Sequence, residues 1–168
     1  NRVCDGIDGV VKTTREVLRA GADFIKICAT GGIMAPGSEP THTQFTREEI
    51  TAVVYEAQAQ GKYVAAHAQG LQGIKNAVES GARTIEHGIY VDEETADDMV
   101  RRGTYLVPTF HALQGVLKAD AANPGSILPQ SLRKTLDVID IHKANIRMAI
   151  EKGVKVAMGT DAGIGLHG

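Results

Sequence analysis

Helices alternating with short apolar runs predict an α/β fold in which helices cover a parallel sheet. Three observations carry that expectation. Amphipathic stretches recur along the 168 residues. A glycine closes each of them, and a brief apolar run suited to a buried parallel strand succeeds each glycine.

The clearest helix spans Thr46 to Gln60, where Ile50, Val53, Val54 and Ala57 share one face. Its start reads as a capping box, with Thr46 accepting from the amide of Glu49 and the Glu49 carboxylate reaching back. The same period recurs with Val10, Thr14, Val17 and Leu18; with Ile74, Ala77 and Val78; with Ala96, Met99 and Val100; and with Leu132, Leu136, Ile139, Lys143, Ile146 and Ile150. Five helices are expected. They end at Gly21, Gly61, Gly81, Gly103 and Gly153, and the runs behind them are Asp23 to Cys28, Lys62 to Ala66, Arg83 to Glu86, Thr104 to Val107 and Val154 to Met158. These read as five strands buried on both faces. A closed barrel takes about 250 residues and eight strands, so either an open sheet or the later part of a barrel satisfies this pattern.

Composition narrows the function. The chain is 43% apolar and 23% charged, as ordinary globular domains are, and its net charge of -2 with interspersed signs offers no field for nucleic acid. No apolar run approaches a bilayer span, and Asn1 to Gly9 has no leader pattern, so no membrane partner is expected. Cys4 and Cys28 lack metal-site or disulfide spacing and read as ordinary thiols.

In parallel α/β folds chemistry collects at the carboxyl ends of the strands. Those positions hold Lys26, His67, His87, Thr109 and Asp161. A single buried histidine is ordinarily a satisfied core residue. Two imidazoles and a carboxylate from three strand ends are a different matter, because that donor set suits Zn(II) and related divalent ions. Lys26, flanked by Phe24, Ile25 and Ile27, would pay several kcal/mol to stay charged on a strand buried on both faces, so burial should favour its neutral amine. Such an amine can form a Schiff base, act as a base, or take up carbon dioxide as a carbamate. A lysine paired with a carboxylate, or snorkelling at the rim, is the plainer alternative.

The segments Gly21-Ala-Asp-Phe-Ile-Lys-Ile-Cys-Ala-Thr-Gly-Gly32, Ala66-His-Ala-Gln-Gly70, Ile85-Glu-His-Gly88 and Gly159-Thr-Asp-Ala-Gly163 resemble the amidohydrolase superfamily. More narrowly, they are similar to its Xaa-Pro dipeptidase (prolidase) and carboxypeptidase branch, related to imidazolonepropionase. The resemblance implies a (β/α)8 TIM-type barrel, with residues 1–168 as one partial domain running from strand four to strand eight. It also implies a binuclear centre of two divalent metal ions, commonly zinc, in which a carboxylated Lys26 bridges the metals and His67 and His87 are ligands. Asp161 would be both ligand and proton-transfer residue. The superfamily's His-x-His pair of strand one has no counterpart here, so the fragment alone is expected to be inactive. The reaction implied is amide hydrolysis of a dipeptide or C-terminal residue by a metal-bridged hydroxide, with Asp161 taking and returning the proton. A cyclic amide hydrolase or deaminase on the same barrel is the alternative within enzymes, and a non-catalytic truncated domain the alternative outside them.

The glycine- and proline-rich stretch from Ala29 to Phe45 reads as a loop over the strand ends. By the same resemblance Tyr90 could hydrogen-bond a substrate carboxylate, and His111, just past a strand end, could reach a small peptide or amide substrate; packing at a helix cap and an exposed loop histidine are the plainer readings. His42 has weaker support. His142 reads as a surface residue of the last helix, and His167 is uninformative. A homo-oligomer and a cytoplasmic location are left open.

Overall fold

The computed structural model describes residues 2–162. Five strands form one sheet in the order β1-β2-β3-β4-β5, every pair parallel: β1 (Ile25–Cys28), β2 (Val64–Ala68), β3 (Thr84–His87), β4 (Tyr105–Val107) and β5 (Lys155–Val156). Between them run α1 (Gly6–Arg19), α2 (Arg47–Gln58), α3 (Leu71–Ser80), α4 (Glu93–Arg102), α5 (Phe110–Ala122) and α6 (Pro129–Glu151). Strand order follows chain order without a reversal, and α1 packs on α2, α2 on α3, α3 on α4 and α4 on α6. A doubly wound sheet reverses direction at a switch point. Winding in one sense, with each helix beside the next, describes instead a sector of a (β/α) barrel wall.

Local chemistry accounts for the element ends. Thr46 and Glu49 form the reciprocal capping box expected of them, and Glu49 also accepts from the amide of Gly6 at 2.8 Å, tying the start of α1 to that of α2. Gly81 and Gly103 take the left-handed conformation as the C-caps of α3 and α4. The main core lies between helices and sheet, with Ile50, Val64, Ile74, Ile85, Met99, Leu106 and Ile146 fully buried. A second cluster of Ile33, Ile89, Leu113 and Val138 sits apart from it, drawn from two loops, α5 and α6.

Several expectations are corrected. β1 is buried on one face only: Ile25 and Ile27 turn under the helices while Lys26 and Cys28 face the other way and keep solvent exposure, because side chains alternate along a strand. β5 is shorter than expected, and both of its residues are exposed. Val100 is exposed on α4. On α6 the inward face is Ser131, Lys134, Thr135, Val138, His142, Ile146 and Ala149, so Leu136 and Ile150 are exposed and His142, only 1% exposed, is a core residue. The apolar period misleads there because polar side chains occupy the inner stripe to satisfy loop carbonyls. α5 has no counterpart in the expected pattern. It starts at Thr109, which holds a left-handed backbone (φ 51) and gives no side-chain cap, and it interrupts the helix-glycine-strand order.

Candidate active site

Parallel register sets the site. His67 pairs with Glu86 and Ala68 with His87, so the two histidines come from neighbouring strand ends one residue out of register; His87 departs from regular strand geometry (φ 73), and the imidazoles meet edge to face with centroids 4.6 Å apart. A cavity of about 330 Å³ opens over these strand ends, and Lys26, His67, His87 and Asp161 all line it. Its remaining wall is largely apolar: Ile33 and Met34 from the loop after β1, Ile89 after β3, and Ala112, Leu113 and Val116 from α5.

Each imidazole has one nitrogen engaged. Nε2 of His67 lies 3.1 Å from the carbonyl of Gly31, and since a carbonyl only accepts, that nitrogen carries the proton and Nδ1 keeps its lone pair. Nδ1 of His87 lies 2.6 Å from the Thr109 hydroxyl, which leaves Nε2. Burial lowers the pKa of both rings, most strongly for His87, where the neighbouring His67, Lys26 and His142 add to it. Neutral imidazoles with an uncommitted nitrogen are the form in which histidine binds a divalent cation.

Lys26 is also held below its usual pKa, first by burial of its ammonium, although the negative charges of Glu86, Cys28 and Asp161 act against this. Its side chain keeps solvent contact because it projects from the open face of the sheet. Asp161 is exposed and follows β5 in a left-handed conformation, with φ 57. Among the described residues no three His, Cys, Asp or Glu side chains form a metal-holding group; the close pair is His67 with His87, and Lys26 and Asp161 line the same cavity.

Among the described residues, positive φ outside glycine is confined to this place. Of the described non-glycine residues, only His87 (φ 73), Thr109 (φ 51) and Asp161 (φ 57) take positive φ, and all three line the cavity. Such conformations cost on the order of 1–3 kcal/mol each and persist where the surroundings impose them. At His87 the imposing contact is visible: His142 donates its Nε2 proton to the His87 carbonyl at 2.9 Å.

Several contributors escaped the sequence reading. Thr109, located at a strand end by the sequence but given no role there, orients His87; Thr30 accepts from the amide of Gln69 at 3.0 Å, and Gln69, 4% exposed, presents a buried carboxamide oxygen with no hydrogen-bond partner among the described residues. Gln69 stands two residues after His67 on the same strand end, which is the signal that could have found it. Tyr90 and His111 do not line the main cavity. Tyr90 is half-buried behind it, against the Ile33–Ile89–Leu113–Val138 cluster, with its phenol pKa raised by burial. His111 lines a separate apolar cleft with Phe110, Ile150 and Met158. His42 is exposed and its Nδ1 accepts from the amide of Glu39, while His167 lies outside the described residues.

Comparison with known proteins agrees with the fold. Ochratoxinase of Aspergillus niger is 34% identical over 163 residues, covering 97% of this chain and 33% of that protein. Its crystal structure superposes with a TM-score of 0.84 over 94% of this chain and 35% of that one. A Xaa-Pro dipeptidase solved with methionine bound in its active site matches at TM-score 0.86 and 39% identity, over 95% of this chain and 39% of that one. A prolidase complexed with N-methylphosphonate-L-proline matches at TM-score 0.88 and 38% identity, over the same 95% and 39%. The chain thus spans about a third of the length of these relatives. The model of the amidohydrolase family matches residues 5–167, nearly the whole sequence, and the chain belongs to that family.

Proposed function

We propose that this chain is the metal-binding sector of a hydrolase that cleaves the C–N bond of an amide in a dipeptide or at a C-terminal residue. The observation that carries the reading is the arrival of Lys26, His67, His87 and Asp161 at one cavity from the ends of four strands or the turns behind them. Relatives described as an ochratoxinase and a Xaa-Pro dipeptidase support an amide substrate.

His67 through Nδ1 and His87 through Nε2 would hold divalent cations, with Lys26 bridging two of them as its carbamate and Asp161 completing the set. When bound, such ions, zinc by the chemistry of the donors, supply Lewis-acid polarisation of the amide carbonyl and a lowered pKa for the attacking water. The chain's own residues do the rest. Asp161, exposed at the cavity mouth, accepts the proton of the water as it attacks and returns it to the departing amine. Burial of His67 and His87 keeps them neutral throughout. Ile33, Met34, Leu113 and Val116, which line the same cavity, limit the water it admits. Tyr90 and His111, which lie outside this cavity, are proposed as substrate contacts.

Metal analysis and dipeptide hydrolysis by the full-length protein test this reading. Two metal ions per active site and loss of hydrolysis in Lys26→Ala are expected. One metal per site favours the cyclic amide hydrolase or deaminase alternative, and full activity in Lys26→Ala removes the bridging role.

A further inference from the structure

Lys134 sits in the second turn of α6 with 2% of its surface exposed, yet makes no ion pair among the described residues. Its ammonium donates instead to three main-chain carbonyls of one loop: Ala35 at 2.8 Å, Gly32 at 3.3 Å and Ser38 at 2.5 Å. A buried ammonium is tolerated only when its donors are satisfied. Here each donor meets an oxygen of a segment about a hundred residues earlier in the chain, and Arg133 beside it binds Glu39 at the end of that segment at 2.6 Å.

That segment is the cavity wall. Gly31, Gly32, Ile33, Met34 and Ala35 all line the cavity, and the carbonyl of Gly31 receives the Nε2 proton of His67. The loop also folds tightly on itself: a Cβ at Gly31 would stand 2.0 Å from the Ser38 hydroxyl and 2.3 Å from the Glu39 carbonyl. The fold at Gly31 is therefore closed from one side by Ser38 and Glu39, the residues that Lys134 and Arg133 grip. On the same inward stripe of α6, His142 and Asn145 donate at 2.9 Å to the carbonyls of His87 and Ile89.

We propose that Lys134 is a positioning residue. By gathering the carbonyls of Gly32, Ala35 and Ser38 it fixes the wall of the cavity, and through the Gly31 carbonyl it holds His67 in the Nε2-protonated tautomer that leaves Nδ1 open. The role in turnover rests on the amidohydrolase reading above, but the placement of the loop and the tautomer do not.

The test compares Lys134→Met and Lys134→Arg in the full-length, metal-free protein by two readouts that need no substrate. The first is the nitrogen-15 shifts of His67, which report the tautomer, and the second is amide exchange over residues 31–38. In Lys134→Met the Nε2-protonated signature is expected to give way to a tautomer mixture, and loop exchange to rise about tenfold or more, while α2 and α3 keep their protection. Lys134→Arg, which keeps donors and charge, should restore much of both. If Lys134→Met does not fold, Lys134→Gln, shorter but still a donor, is read by the same criteria. A folded variant with wild-type His67 shifts and wild-type exchange at 31–38 overturns the proposal. With the amide substrate found for the full-length enzyme, KM should rise about tenfold in Lys134→Met with kcat changed less, whereas a residue that only stabilises the fold would leave both constants of the folded enzyme unchanged. Wild-type protein that hydrolyses no amide while the tautomer and exchange effects appear would remove the functional reading and leave the positioning role standing.

Discussion

The hydroxyl of Thr109 lies 2.6 Å from Nδ1 of His87, joining the end of β3 to the start of α5. The contact orients the imidazole and fills one of its nitrogens, so the other is the one presented to the cavity. Partners of this kind typically tune metal affinity by about 10- to 100-fold. Thr109→Val is expected to weaken zinc binding to the full-length protein within that range, and Thr109→Ser to retain most of it, as measured by competition with a chelating dye. Equal affinities for the two variants would show that the hydroxyl does not support the ligand.

The bridging role given to Lys26 has its own chemical signature. On the proposed reading, Lys26→Ala removes the amine that would take up carbon dioxide, and metal content should fall from two ions per site. A short carboxylate such as propionate can occupy the vacated space and supply two oxygens, so added propionate should restore part of the lost activity. Restoration by propylamine, with none from propionate, would point to a role for the amine itself.

His142 makes the fold sensitive to acid. Burial lowers its pKa to about 4 from 6.5, although its hydrogen bond to the His87 carbonyl acts in the other direction. The folded protein therefore holds the neutral ring. Its contribution is intact above about pH 6.5 and is lost as the pH falls from there to about 4, a total on the order of 3 kcal/mol. Urea unfolding between pH 7 and pH 4 should show this loss, and His142→Gln, which keeps a donor, should flatten the slope by about one proton. A variant with an unchanged slope would place the acid sensitivity elsewhere, in His67 and His87.

The junction of α1 and α2 is a plain matter of stability. Thr46→Ala removes one half of the capping box and should cost about 1 kcal/mol, read as a lower Tm. Glu49→Ala should cost more, because that carboxylate accepts from the amides of both Thr46 and Gly6. Neither change should alter metal binding.

The strand ends are legible in the sequence because the helix-glycine-strand grammar is local: Gly81 and Gly103 stop their helices by backbone conformation alone, and each apolar run behind them enters the sheet beside its predecessor. Lys26, His67, His87 and Asp161 can be located that way, as positions before they are recognised as chemistry. His142 and Lys134 cannot, because a helix shows its inward face through apolar period only when the inward residues are apolar. On α6 the inward stripe carries a lysine, a histidine and an asparagine, each bound to a carbonyl distant in sequence. Leu136 and Ile150 then imitate a core from the outer side. The half-exposed state of Lys26 is hidden for a related reason: its apolar neighbours Ile25 and Ile27 report the burial of the opposite face of the strand.

The three left-handed residues His87, Thr109 and Asp161 bear on any attempt to make this protein sturdier. A redesign guided by backbone preference alone would write glycine or asparagine at 87, 109 and 161, and each replacement would relieve strain. The same three edits would take away an imidazole, the hydroxyl that aims it and the carboxylate at the mouth of the cavity. Thermal tolerance and chemistry compete here at the same three codons, so a stabilised variant of this protein has to draw its gains from elsewhere, such as the exposed outer stripe of α6.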